Sequence, residues 1–156
     1  LRFLHETGSS LSLKNEYENG SGLLPDCRLR YGLWFRSKDL RAEDVTERLR
    51  IEPDHVLEKE KLSGGVTDRR NAWLLRTELL PFEEQSQACK DFCSKFIACE
   101  REIIELLRMK ETDAELDLSL YTGRCSFDAL VLPRELTELA YRIGTEIYLG
   151  FYAVPR

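Results

Sequence analysis

The chain is poor in the residues that carry most metal and acid–base chemistry. It has two histidines, His5 and His55, one methionine, and no His-x-x-x-His pair. Cys89 and Cys93 are spaced to share a metal, but zinc wants about four thiolate or imidazole ligands, and no second pair is spaced to match. No metal and no other cofactor is expected. Phosphate-cradling loops are missing too: Gly20-Ser21-Gly22 lacks a third glycine and follows no strand, and there is no Walker sequence. No apolar run approaches the roughly 18 residues of a membrane span. The start of the sequence lacks the basic-then-apolar layout of a secretion signal. The five cysteines, Cys27, Cys89, Cys93, Cys99 and Cys125, are odd in number and form no regular framework. They are expected to be reduced, which points to the cytoplasm. Finally, positive charge is in deficit. A net charge of -5 repels phosphate backbones, so nucleic acid is a disfavoured partner and no membrane partner is expected.

What is present describes one globular unit. The 156 residues are 42% hydrophobic and 33% charged, the balance of a soluble domain rather than a disordered chain. Residues 1–26 are punctuated by Gly8-Ser9-Ser10, Asn19-Gly20-Ser21-Gly22 and Pro25-Asp26 and read as a polar arm, with one short strand near 11–13. From residue 27 to 156 a single domain is expected. Alternation over 28–36 sets Leu29, Tyr31, Leu33 and Phe35 against Arg28, Arg30, Trp34 and Arg36, the pattern of a half-buried strand. A helix over 42–50 follows, with Asp39 as its N-cap. Residues 52–69 read as a charged loop and 71–78 as a second strand. Pro81 suits the first turn of a long helix reaching residue 108, whose apolar positions keep steps of three and four. A strand over 114–121, a helix from Pro133 stopped by Gly144, and a strand over 146–153 complete the order.

Each main strand has one apolar and one polar face, whereas a strand covered on both sides would be apolar throughout. The expected fold is therefore α+β. It is a two-layer sandwich in which three helices lie on one face of a four- to five-stranded, mainly antiparallel or mixed sheet.

From Tyr31 onward the punctuation resembles a bacterial family of domains of unknown function, numbered 4279. The resemblance is carried by residues 43–49 leading into Ile51-Glu52-Pro53, then the loop with Gly64-Gly65, then Asn71-Ala72-Trp73. Leu132-Pro133-Arg134-Glu135-Leu136 and the closing Glu146-Ile147-Tyr148 extend it. It implies a bacterial cytoplasmic protein and brings no catalytic residues with it. Some small acidic proteins of this look serve as immunity proteins that neutralise a toxin, which would make a toxin the partner.

The residues themselves point to one surface. If the apolar strand faces meet the helices, the opposite face collects Arg30, Trp34, Arg36, Glu115, Asp117, Tyr121, Tyr148 and Tyr152. Trp, Tyr and Arg are the residues that anchor interfaces. Cross-strand pairing of the arginines with the carboxylates would account for the same composition without a partner. The candidate binding face is thus Arg30, Trp34, Arg36, Tyr121, Tyr148 and Tyr152, on a non-enzymatic module that binds a protein. Two other readings stand beside it: an enzyme with a loop-built site around Asp54, His55 and Asp68, and a structural homo-oligomer.

Overall fold

The computed structural model describes residues 2–4, 27–58, 70–81, 84–122 and 131–153. The strand expected near 11–13, Gly64-Gly65, Asp68 and Cys125 lie outside them. The described elements run β1 (Arg2–Leu4), β2 (Cys27–Ser37), α1 (Ala42–Leu49), β3 (His55–Leu57), β4 (Asn71–Arg76), β5 (Leu80–Pro81), α2 (Gln85–Ile97), α3 (Glu100–Leu107), β6 (Thr112–Thr122), α4 (Arg134–Ile143) and β7 (Glu146–Ala153).

The strands form one open mixed sheet in the order β1-β7-β6-β2-β4-β3, with β5 pairing β2 beyond β4. The central pair is β2 with β6, antiparallel over eleven residues from Cys27↔Thr122 to Ser37↔Thr112. β4 lies antiparallel on the other side of β2, while β7 runs parallel to β6. Parallel neighbours need a crossover, and α4 is the helix that supplies it. The alternation of β2 sorts its side chains: Leu29, Tyr31, Leu33 and Phe35 are at most 2% exposed and share one core with residues of all four helices. Phe92 and Phe96 of α2, Ile103 and Leu106 of α3, and Leu136 and Leu139 of α4 close that core from one side of the sheet. The two-layer α+β reading therefore holds, with more elements than the alternation pattern reveals.

Local physics explains the boundaries. Ser37 Oγ accepts the N–H groups of Asp39 and Leu40, at 3.3 and 3.1 Å, and turns β2 toward α1. The N-cap of α1 is Arg41 rather than Asp39, because Asp44 reaches back to accept the Arg41 N–H at 3.0 Å. Gly144 ends α4 at φ 69°, a left-handed conformation that costs glycine nothing.

Two expectations need correction. Pro81 belongs to β5, an edge position where its missing N–H is tolerated, and α2 starts only at Gln85. The long helix is also two helices: at Cys99 the backbone leaves helical values (φ -121°, ψ 27°), and the Cys99 N–H bonds back to Phe96 O, three residues away.

Candidate functional site

The sheet has a second face, on which no helix packs among the described residues. The register fixes its rows. Arg28 stands opposite Tyr121, Arg30 opposite Ser119, Gly32 opposite Asp117, Trp34 opposite Glu115, and Arg36 opposite Asp113. On the far side of β2, Gly32 faces Arg76 and Trp34 faces Leu74. On the far side of β6, Asp117 faces Tyr148 and Tyr121 faces Tyr152. All six candidate residues thus share one face.

They do not share one environment. Arg30 and Tyr121 are buried, at 6% and 8% exposure, while Trp34, Arg36, Tyr148 and Tyr152 are half-buried. Tyr121 and Tyr152 stack with ring centroids 4.9 Å apart and planes 17° from parallel, and the Arg30 guanidinium sits 5.8 Å above the Tyr121 ring. Gly150 makes room for this stack. A Cβ there would lie 2.7 Å from the Tyr152 ring, which leans across the glycine. Tyr148 donates to Glu146 at 3.0 Å.

Charge divides the face into two ends. At one end Arg36 is held by Glu115 and, at 3.4 Å, by Asp113, which also pairs with Arg70 at 2.5 Å. This is the cross-strand pairing that competes with a binding role, and it occupies Arg36. At the other end stand Arg28, Arg30 and Arg76, with the Asp117 carboxylate across Gly32 from Arg76 and the Asp54 carboxylate on the Arg76 backbone N–H. Burial pushes the Asp117 carboxyl up to about 6, although a hydrogen bond from Ser119 (2.7 Å) and the neighbouring Arg30 and Arg76 charges oppose the shift. Gly32 puts no side chain between Asp117 and Arg76. A Cβ added there would meet Arg76 Cγ at 3.5 Å and Asp117 Cβ at 3.6 Å, so a larger residue would wedge them apart.

Of the alternative enzyme residues, Asp54 and His55 lie among the described residues. The Asp54 carboxylate accepts the Arg76 backbone N–H, closing the turn between α1 and the short edge strand β3, and His55 is exposed on that edge. In the core, Cys89 and Cys93 lie 3.9 Å apart beneath Tyr31, whose hydroxyl donates to Gln85 O at 3.4 Å. Burial raises the Tyr31 phenol, the hydrogen bond with Cys89 and then burial raise Cys93, and burial raises Cys99 to about 11. Cys93 and Cys99 are therefore protonated core thiols rather than nucleophiles. Among the described residues no group of His, Cys, Asp and Glu is arranged to hold a metal, and no helix is long and apolar enough to cross a membrane. A shallow depression of about 580 Å³ along α2 and α3 is lined largely by charges, of which Arg101 and Glu105 pair with each other and Glu100 pairs with Arg142.

Alternation within strands could find the shared face, but it missed Arg28, Gly32, Leu74, Arg76 and Ser119 as members of the site. By the same alternation Arg28 and Ser119 fall on the shared face of their strands. β4 carries apolar residues on both faces, Trp73 and Leu75 on one and Ala72 and Leu74 on the other, so its polarity holds no signal for Arg76.

An open mixed sheet with helices on one side and an aromatic–arginine face on the other defines an α+β domain whose distinctive chemistry is on its sheet. The particular family follows from the sequence itself. The profile of the domain of unknown function DUF4279 matches residues 28–153, and the chain belongs to that family. No curated protein and no solved structure matches it.

Proposed function

We propose that this protein is a non-enzymatic binding module that recognises a protein partner through the second sheet face, centred on Trp34. One observation carries the reading: the β2–β6–β7 register gathers a half-buried indole, the Tyr121–Tyr152 stack and a set of arginines on one surface. An indole on a sheet surface presents a large apolar area and one donor, a shape suited to a partner's pocket. The Trp34 indole N–H has no hydrogen-bond partner among the described residues, whereas that of the buried Trp73 donates to Thr46 Oγ1 at 3.0 Å. A toxin, the partner suggested by the family resemblance, is the finer form of the same proposal.

The test is Trp34→Ala. Truncating an interface anchor costs about 2 kcal/mol or more of binding, while a half-buried surface indole contributes less to the fold than a core one. Capture from the native lysate by the wild type should yield a defined partner that the variant loses, with its melting temperature within a few degrees of wild type. A large fall in melting temperature with partner capture intact would make Trp34 a stabilising residue and remove the proposal's centre.

A further inference from the structure

Among the described residues, Arg28 and Arg76 form no ion pair and stand at one end of the proposed face. Arg36, at the other end, is engaged by Glu115 and Asp113, and Arg70 by Asp113, so that end is neutralised inside the molecule. The Nε atoms of Arg28 and Arg36, one at each end of the face, are both buried with no hydrogen-bond partner among the described residues. Arg28 flanks Tyr121 on β6 and Pro81 on β5, and Arg76 stands across Gly32 from Asp117. Three arginines, Arg28, Arg30 and Arg76, stand at this end against the carboxylates of Asp117 and of Asp54, which accepts the Arg76 backbone N–H, on a chain whose net charge is -5. This end is a local positive patch beside a large indole.

We infer that the segment docked on this face is an acidic peptide stretch of the partner, whose carboxylates are received by Arg28 and Arg76 while an apolar side chain rests on Trp34. The inference deepens the protein-binding reading and rests on it. Guanidinium groups take carboxylates through paired, directional hydrogen bonds, and such charge-assisted bonds are roughly twice as strong as neutral ones. The paired end beside Arg36 then serves as a neutral rim that repels neither sign.

Three fluorescein-labelled peptides test it, sharing one apolar frame with a central tyrosine and carrying Glu, Gln or Lys at the same flanking positions. Binding is read by fluorescence anisotropy across a salt series, and located by amide shifts in the ¹⁵N-labelled protein. The Glu peptide should bind best, weaken as salt rises, and shift amides of the Arg28–Gly32 stretch and of β4 near Arg76. Arg28→Gln and Arg76→Gln should each weaken it roughly tenfold, the scale of one charge-assisted hydrogen bond. Arg36→Gln removes the same formal charge from the already paired end and should leave binding within about twofold of wild type, a change far below one such bond. Amide spectra of all three variants establish that each is folded.

Equal binding of the Glu and Lys peptides, shifts confined to another surface, or a loss in Arg36→Gln as large as in Arg28→Gln overturns the inference. So does no binding of any peptide. In each of these outcomes a Trp34-dependent protein partner would leave the binding-module reading standing, whereas loss of that partner would remove both.

Discussion

Asp117 offers the most quantitative check on the second sheet face. Its carboxyl is raised from 3.8 to about 6, chiefly by burial, so the folded protein holds a proton that the unfolded chain has released. Between those two values the native state binds more protons, and stability must therefore fall as pH rises through that window. The full penalty, reached above pH 6, is about 3 kcal/mol, from roughly two pK units at 1.36 kcal/mol each. Applying the linkage relation with the same two values, about 1.4 kcal/mol of it develops between pH 5 and pH 7.5. Asp117→Asn keeps an acceptor for the Ser119 hydroxyl and removes the ionisation. It also removes a charge from beside Arg30 and Arg76, an offset that barely changes with pH because arginine does not titrate in this range. The variant's stability relative to wild type should therefore improve by about 1–1.5 kcal/mol on going from pH 5 to pH 7.5. Urea unfolding at both pH values measures each stability, and subtracting the two proteins cancels every other titrating group. A difference that stays constant with pH would show that the Ser119 hydrogen bond and the Arg30 and Arg76 charges cancel the effect of burial, and one that moves the other way would show that they outweigh it.

Three further outcomes follow from the packing. Gly150→Ala places a methyl 2.7 Å from the Tyr152 ring and must swing it off Tyr121; a loss of about 1 kcal/mol and a changed near-ultraviolet tyrosine signal are expected, and an unchanged signal would show that the stack tolerates a Cβ. Trp73→Phe empties part of a site that is 1% exposed and leaves Thr46 Oγ1 without its donor, so unfolding should be easier by about 2–3 kcal/mol in urea. Alkylation under denaturing, non-reducing conditions should count all five cysteines of the sequence as free thiols, while in the native protein Cys89, Cys93 and Cys99 should react slowly because they are buried. Fewer than four free thiols would contradict that.

Where a strand alternates over its whole length, the sequence was enough. β2, β6 and β7 each carry leucines or aromatics at period two, and the helices collapse onto those sides because any other arrangement leaves that area in water. Short strands are different. β1, β3 and β5 span two or three residues, too few for a period, and exist because neighbouring edges pair with them. The break at Cys99 was invisible for a geometric reason. The step of three from Phe96 to Cys99 belongs equally to a continuous helix and to a turn tightened to three-residue hydrogen bonding, so the apolar spacing is the same in both.

For the site, alternation decides which face a side chain takes and leaves the register open. In the observed pairing Arg36 meets Asp113 with Glu115 alongside, Arg30 meets Ser119, and Gly32 meets Asp117. Sliding β6 by two residues would keep every side chain on its face and every leucine in the core. It would nevertheless put Asp117 opposite Trp34, Tyr121 opposite Arg30, and Ser119 opposite Gly32. The carboxylate would then abut the indole, and Gly32 would no longer stand between Asp117 and Arg76. Which arginines are paired internally is thus a property of the register, and the register is set by the whole length of the β2–β6 ladder together with β4 and β7. The same residue types on the same face can pair in either way, and the pairing of Gly32 with Asp117 selects the arrangement on which the proposed acidic-peptide site rests.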